Sequence, residues 1–446
     1  MEDTIAAIST AQGVGAISII RMSGPDSLII ANKIFDKDIL SAKTHTIHYG
    51  HIVMNNEIID EVLISVMLAP KTFTKENVIE INCHGGINTT NKVLELLLTN
   101  GARIAEPGEF TKRAFLNGRI DLTEAEGIMN LIESKSDISR KLSINQITGQ
   151  VSSLIDDLRN DLVKIISNIE VNIDYPEYDD VEVLTNEKIT PALNTLINKM
   201  KNIVEKSTDG KIITEGLNIG IIGRPNVGKS SLLNALLEEQ KAIVTDIEGT
   251  TRDLVEGKFL LNGIVCNIID TAGIRNTENL VEKIGVNKSY EIIDKADLII
   301  YLLNNNEELK KEDYELLEKI KQKNYIIVIN KTDLPRKINI QEPNIIEMSI
   351  KNNLGIDTLK NKIIELFNLE KIATNDPTYL SSARSISLLK RSLSILEESL
   401  NKINDFPIDI IELDLKEAWT ILGEINGKTY KDELIDEMFS RFCLGK

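Results

Sequence analysis

The stretch Gly223-Arg224-Pro225-Asn226-Val227-Gly228-Lys229-Ser230 constrains the fold of this chain more than any other. An apolar run, Leu217 to Ile222, precedes it, and a helix-like run, Leu232 to Leu237, follows. Strand, glycine loop and helix in that order let backbone N–H groups wrap an anion at the positive end of the helix. Lys229 would reach the outer phosphates of a nucleotide, and the Ser230 hydroxyl would hold Mg²⁺. Val227, Gly228 and Ser231 complete the phosphate-binding set.

With 446 residues the chain exceeds what one core can organise, so two to four domains are expected. Lys and Arg number 51 against 68 Asp and Glu, a formal net charge of −17. Such a chain repels a phosphate backbone at long range, so any RNA contact needs a local basic patch or a partner's surface. Cys83, Cys266 and Cys443 are far apart and odd in number, and imply no disulfide framework. The start Met1-Glu2-Asp3 has the wrong charge for a signal peptide, and no apolar run approaches the ~20 residues of a membrane span. The expectation is a soluble, cytoplasmic protein that does not contact membrane.

The texture changes along the chain. Residues 1–118 alternate short apolar runs with turns around a helical pattern at Asn91 to Leu98, as in a small α+β domain. From Asp121, where Glu124 completes a capping box, long runs of helical period follow: Ala125 to Leu142, Val151 to Ile173, Ile189 to Val204. After Gly210, β-like runs alternate with helices, the pattern of a mostly parallel sheet with crossover helices. Beyond Asp376-Pro377 the helical pattern returns. The predicted organisation is multidomain α/β. An α+β domain spans 1–118, and a helical domain, 119–215 and 371–446, is interrupted by an inserted nucleotide-binding domain over 216–370, which the motifs and resemblance given below make a Ras-like P-loop GTPase domain.

Three further motifs follow the phosphate loop: Gly249-Thr250-Thr251-Arg252-Asp253, Asp270-Thr271-Ala272-Gly273 and Asn330-Lys331-Thr332-Asp333. The last two end β-like runs, where ligands bind in open α/β sheets. Thr251 would complete the Mg²⁺ shell, Asp270 would act on the ion from behind it, and the Gly273 N–H would sense the γ-phosphate. The Asp333 carboxylate can accept both N1–H and the exocyclic amine of guanine, a pair adenine lacks, so GTP is the expected nucleotide. Asn330 and Lys331 share this base-reading motif, and Ser349 opens the loop that backs the base. Where Ras-like proteins place a water-orienting Gln, this chain has Ile274, which leaves Glu278 and Glu282 as candidates. Asn226 could offer its amide oxygen to a monovalent cation beside the phosphates, or could simply cap the loop.

These motifs, with GAISIIRMSGP, VIEINCHGG and PGEFTKRAFLNGRIDLTEAE near the N-terminus and FCLGK at the end, closely resemble the MnmE/TrmE family of tRNA-modifying GTPases. The resemblance covers essentially the full chain. It implies that Asn226, Thr245, Ile247 and Thr250 hold K⁺, that Ser230 and Thr251 bind Mg²⁺, and that Glu282 activates the attacking water. It implies an N-terminal domain that dimerises and binds 5-formyl-tetrahydrofolate or a related tetrahydrofolate through Arg21, Glu80, Arg119 and Lys446. Cys443 is a candidate reactive thiol. Hydrolysis would need the GTPase domains of a homodimer to meet. An MnmG-type FAD protein would join in a heterotetramer that transiently shares tRNA and modifies C5 of its wobble uridine.

Departures from the family pattern are Arg119 in place of Lys, Leu444 in place of Ile, and Ser349-Ile350-Lys351 in the guanine-backing loop. His45, His48 and His51 alternate across faces of a β-like run and are expected to serve as surface or core residues. His84 reads as a turn residue, Trp419 as core, and Tyr175 to Glu182 as a solvated loop. Two other readings are a ribosome-assembly GTPase and a dimeric switch that binds folate only structurally. The acidic balance and the N-terminal motifs count against the first.

Overall fold

The computed structural model describes residues 3–174, 186–238, 255–269, 290–374, 380–430 and 432–440, with Phe442 and Gly445. The chain divides into two compact units: Met1–Met129, Ile147–Asn194 and Arg391–Lys446 form one, Asn130–Gln146 and Thr195–Lys390 the other.

The first unit is built on an open sheet of β1 (Ile5–Ile8), β2 (Ile17–Ser23), β3 (Thr46–Met54), β4 (Glu57–Met67), β5 (Val78–His84) and β6 (Arg103–Ile104). Its order is β3-β4-β5-β2-β1-β6, antiparallel except where β1 meets β6. Alternation sorts the faces: Val62, Ile64 and Val66 of β4 are buried while Leu63 between them is exposed. Helices Ser27–Ile34 and Ile87–Thr99 cover the inner face, with Ile30, Val93 and Leu97 in the core against Ile20, Ile64 and Ile81. On the helical side, Ile155, Leu158, Leu162 and Ile169 form the buried stripe of Gln150–Asp174. That helix packs on Ile408–Asn426, whose Ile411, Leu415, Ala418 and Leu422 carry the matching period.

The capping box appears where expected. Asp121 N–H donates to Glu124 Oε2 at 2.8 Å and Glu124 N–H to Asp121 Oδ1 at 2.9 Å, opening helix Leu122–Glu133. The run expected to stay helical to Leu142 instead breaks before a new helix, Asp137–Ile147. Ser134 Oγ turns back to the Leu131 carbonyl and Ser136 Oγ accepts the Ser139 N–H, so two short hydroxyls replace the ladder there.

The second unit carries β7 (Leu217–Gly223), β8 (Val255–Leu261), β9 (Ile264–Ile269), β10 (Leu298–Asn304), β11 (Asn324–Asn330) and β12 (Ile345–Glu347). Its order is β12-β11-β10-β7-β9-β8, parallel apart from β8. β9 and β10 are buried at every position, the signature of strands covered on both faces. The sheet therefore has two cores, one around Ile219, Ile221, Leu298 and Ile300, the other around Ile222, Ile299, Tyr301 and Ile327. Its loops emerge together at the carboxyl ends of β7, β10 and β11.

Among the described residues no helix is long and apolar enough to cross a membrane. Cys83 and Cys266 are free and buried, and burial pushes the Cys266 thiol up to about 12.

Candidate functional site

The phosphate loop is shaped by two glycines that nothing larger can replace. Gly223 closes β7 at φ 148°, where a Cβ would sit 2.4 Å from the Leu302 carbonyl oxygen of β10. Gly228 has φ 108°, and its Cβ would fall 2.4 Å from Asn330 Nδ2. Between them Asn226 adopts φ 62°, a left-handed conformation that asparagine tolerates better than most residues. Helix Lys229–Glu238 starts at once, with Ser230 and Ser231 exposed in its first turn. Lys229 Nζ donates to the carbonyls of Gly223 at 2.6 Å and Arg224 at 2.8 Å. Burial holds its pKa down at about 8.

The base-reading motif is bonded to this loop. Asn330, at the end of β11, donates from Nδ2 to the Val227 carbonyl at 2.8 Å and accepts the Ile350 N–H on Oδ1 at 3.2 Å. Lys331, at φ 64°, donates from Nζ to the Asn226 carbonyl at 2.8 Å. Asp333 is exposed and accepts the Ser349 hydroxyl at 2.7 Å, and that bond holds its carboxyl below the ordinary range. Ser349 thus aligns the carboxylate that would read the base, while Asn330 clamps the phosphate loop to the backing loop.

One support lay outside sequence reasoning. The Arg224 side chain turns away from the loop toward buried Asp313, with Nε 3.3 Å from Oδ2, and pairs with Glu307 at 3.2 Å. Asp313 also accepts the buried Tyr301 hydroxyl at 2.7 Å and the Lys310 N–H at 2.8 Å, the latter capping helix Lys311–Ile320. Burial, reinforced by Asp313, raises the Tyr301 phenol far above its ordinary value. Tyr301 pairs in register with Ile222, the residue before Gly223.

The remaining expected residues of this site, Thr245, Ile247, Thr250, Thr251, Asp270, Gly273, Ile274, Glu278 and Glu282, lie outside the described residues. So do Cys443, Lys446 and the run 175–182.

The first unit brings together the other expected set. Arg21 and Glu80 face each other across β2 and β5, in register and paired through Nε at 2.8 Å. Arg21 also lies over the Phe110 ring at 5.8 Å, and its NH1 donates to the Gly445 carbonyl at 3.4 Å. Gly445, at φ 85°, packs so close to β1 that a Cβ would lie 2.4 Å from the Ile8 carbonyl oxygen. Arg119 stacks over Phe73 at 4.9 Å, and Phe73 packs against the apolar cluster that holds Phe110. Neither ring was singled out from sequence, where both look like ordinary core residues. Fully buried Arg113 braces this side through Asp3, Glu76 and Glu109.

Two minor expectations change. His84 is the last residue of β5 and not a turn residue: its Nδ1 pairs with Asp60 at 2.7 Å, which raises its pKa. Trp419 is only partly buried, with the Arg159 guanidinium 4.2 Å from its ring centre.

A glycine-cradled loop at the end of a central parallel strand, a half-buried lysine within it and an Asn-Lys-x-Asp motif bonded to that loop define a P-loop nucleotide-binding protein of the guanine-reading class. The family model described as "GTP-binding protein TrmE N-terminus" matches residues 4–119, and "MnmE helical domain" matches 122–443. The chain is 50% identical over 455 residues to "tRNA modification GTPase MnmE" of Bacillus cytotoxicus, covering 100% of this chain and 99% of that one. It is 51% identical to the protein of that name from Ligilactobacillus salivarius, covering 100% and 98%. The chain belongs to the MnmE family of tRNA modification GTPases. Among solved structures, the G-domain of FeoB from Methanococcus jannaschii is 26% identical with a TM-score of 0.25, covering 34% of this chain and 97% of that one. Era from Aquifex aeolicus is 24% identical with a TM-score of 0.26, covering 40% and 66%.

Proposed function

We propose that this chain hydrolyses GTP to GDP and phosphate in the service of tRNA wobble-uridine modification. The observation that carries the reading is the bond from Asn330 Nδ2 to the Val227 carbonyl, which ties the base-reading motif to the loop that holds Lys229, at the carboxyl ends of β11 and β7. In this reading Asp333 accepts the two donors of guanine, and the Lys229 ammonium exchanges the Gly223 and Arg224 carbonyls for phosphate oxygens.

Ser230, an exposed hydroxyl beside Lys229, is a hard oxygen donor of the kind Mg²⁺ takes, with Thr251 as its second ligand. Exposed Asn226 fits a K⁺ ligand, joined by Thr245, Ile247 and Thr250. Bound there, these ions would offset charge developing on the phosphates. Glu282 is the proposed water-activating residue, with Asp270 and Gly273 at the γ-phosphate. Arg21, Glu80, Arg119 and Lys446 would hold a formyl- or methylene-tetrahydrofolate, the source of the one-carbon unit, and Cys443 is a thiol candidate beside it.

The proposed division is 1–118 for folate binding and dimerisation, 119–215 and 371–446 for the helical domain, and 216–370 for the GTPase domain. Homodimerisation is supported by the outer face of the first sheet. Ile17, Ile47, Tyr49 and Leu63 share that face through the register Ile17↔His84, Leu63↔Asn82 and Tyr49↔Leu63, and all four are exposed. The partner in modification would be an MnmG-type FAD protein, forming a cytoplasmic heterotetramer that shares the tRNA.

Nucleoside mass spectrometry of tRNA from cells with and without the gene tests the reading. Loss of the aminomethyl-type group at the wobble uridine is expected on deletion, and unchanged modification refutes it. Turnover should rise in potassium over sodium; equal rates return Asn226 to a loop cap.

A further inference from the structure

The loop between β4 and β5 borders a cavity of about 520 Å³ lined by Met67, Pro70, Lys71, Thr72, Phe73, Lys75 and Arg119. Three of those residues are cations and none is an acid, on a chain whose formal net charge is −17. The Glu76 carboxylate of the same loop is paired with Arg113, and Asp121 and Glu124 line a separate neighbouring cavity with Arg119.

The loop is rigidly built. Thr72 Oγ donates to the Glu76 carbonyl at 2.7 Å, buried Thr74 meets Ser23 Oγ at 2.6 Å, and Asn117 Nδ2 donates to the Thr74 carbonyl at 2.6 Å. Lys75, at φ 57°, anchors its ammonium on the Asn117 and Gly118 carbonyls at 3.0 and 2.9 Å. Beneath it Glu76 is paired to fully buried Arg113 at 3.2 Å. Exposed Lys71 and Arg119 thus stand on a fixed frame, with Arg119 further held over Phe73.

We propose that this cavity binds the oligo-γ-glutamate tail of a polyglutamylated reduced folate. The inference rests on the folate reading above and extends it. A reduced folate joins a ring system to a chain of carboxylates. The Phe73 and Phe110 rings share one apolar cluster and carry Arg119 and Arg21, so one wall runs from the Arg21–Glu80 pair to the cationic cavity. The ring system takes the Arg21–Glu80 end, and successive tail carboxylates meet Arg119, Lys75 and Lys71. A duplex nucleic acid suits the feature less well, because the three cations line one concave loop and not a stripe along the surface.

The test is isothermal titration of the full chain with 5-formyl-tetrahydrofolate as mono-, tri- and pentaglutamate, at low and higher salt, for wild type, Lys71→Glu and Lys71→Arg. Exposed ion pairs are individually weak, so the full tail is expected to tighten binding about tenfold over the monoglutamate, with the gain shrinking in salt. Lys71→Glu should remove most of that gain and Lys71→Arg should keep it. Lys71 is exposed, so both variants should melt like wild type. Monoglutamate binding with no gain from the tail, or a gain that survives Lys71→Glu, overturns the proposal while leaving the folate reading intact. Absence of binding by any of the three ligands overturns both. Should Lys71→Glu instead weaken tRNA binding and spare the tail gain, the cations serve RNA and the proposal fails.

Discussion

Removing the Arg224–Asp313 clamp should loosen the phosphate loop without touching any atom that meets nucleotide. The pair is 3.3 Å apart, with Asp313 fully buried and the Arg224 side chain 13% exposed. At that separation the Coulomb term is about 5 kcal/mol for an effective dielectric of roughly 20. Much of it offsets the desolvation of the two charges. After Asp313→Asn, Arg224 retains Glu307 and the Glu308 carbonyl, and the new amide oxygen can still accept the Tyr301 hydroxyl. The expected net cost is therefore ~2–3 kcal/mol, below the 3–5 typical of stranding a buried charge with no other partner. Arg224→Ala should cost at least as much, since it leaves the Asp313 carboxylate without its cation. A share near 1.4 kcal/mol should appear as roughly tenfold weaker GDP binding, because Arg224 also supplies a carbonyl that holds Lys229. The assay pairs fluorescent-GDP titration with denaturant unfolding for both variants and the double variant. Coupling of about 1–2 kcal/mol in the cycle is expected. Additive losses, or GDP affinities within about twofold of wild type in both single variants, would show that the loop holds its shape unaided.

Four further outcomes are expected. GDP affinity should fall as pH rises past about 8: Lys229 has its pKa depressed to about 8 by burial, phosphate contact raises it, and so binding takes up a proton above that pH; a flat titration between neutral pH and the bound-state pKa refutes this. The same depression means the unfolded chain holds more protons there, so apo stability should rise as pH climbs from about 8 toward 10.5. Gly445→Ala adds a Cβ 2.4 Å from the Ile8 carbonyl at φ 85° and should weaken folate binding at least ~10-fold by displacing the Arg21–Gly445 contact, read by calorimetry; unchanged affinity would detach that contact from the site. Glu282→Ala should abolish most GTP turnover with nucleotide affinity roughly intact, and unaltered turnover would remove Glu282 from the mechanism.

The nucleotide site was legible because its constraints are local. Gly223 and Gly228 are demanded by backbone geometry, and glycine, lysine and serine at fixed spacing have few other reasons to coincide. The long helices and the buried strands β9 and β10 announced themselves through period and apolar runs. Short elements did not: β1, β6 and β12 are too short to show a period, and β6 is defined by its pairing with β1, far away in the sequence. Asp313 was illegible for a related reason. It sits among Glu312, Glu315 and Glu318 in what reads as a solvated helical face, and only the fold turns it inward to Tyr301 and Arg224. The helix break at Ser134–Ser136 was hidden because serine is tolerated within a helical period, and the hydroxyls act only by capping.

Lys229 shows how the two kinds of constraint combine. Its place in the loop is a sequence property, yet its chemistry is set by burial that no local pattern encodes. Burial that holds the ammonium's pKa down at about 8 also removes part of its water, so the oxygens within reach become its main partners. At present those are the Gly223 and Arg224 carbonyls, which are dipoles and not charges. A phosphate offers full negative charge to a cation already desolvated, so the gain on exchange exceeds what an exposed lysine could give. Arg224 fixes one of the competing carbonyls through the Asp313 clamp. Relaxing that clamp should therefore change how readily Lys229 leaves its resting partners, which links the ion pair between the phosphate loop and the helix Lys311–Ile320 to phosphate affinity.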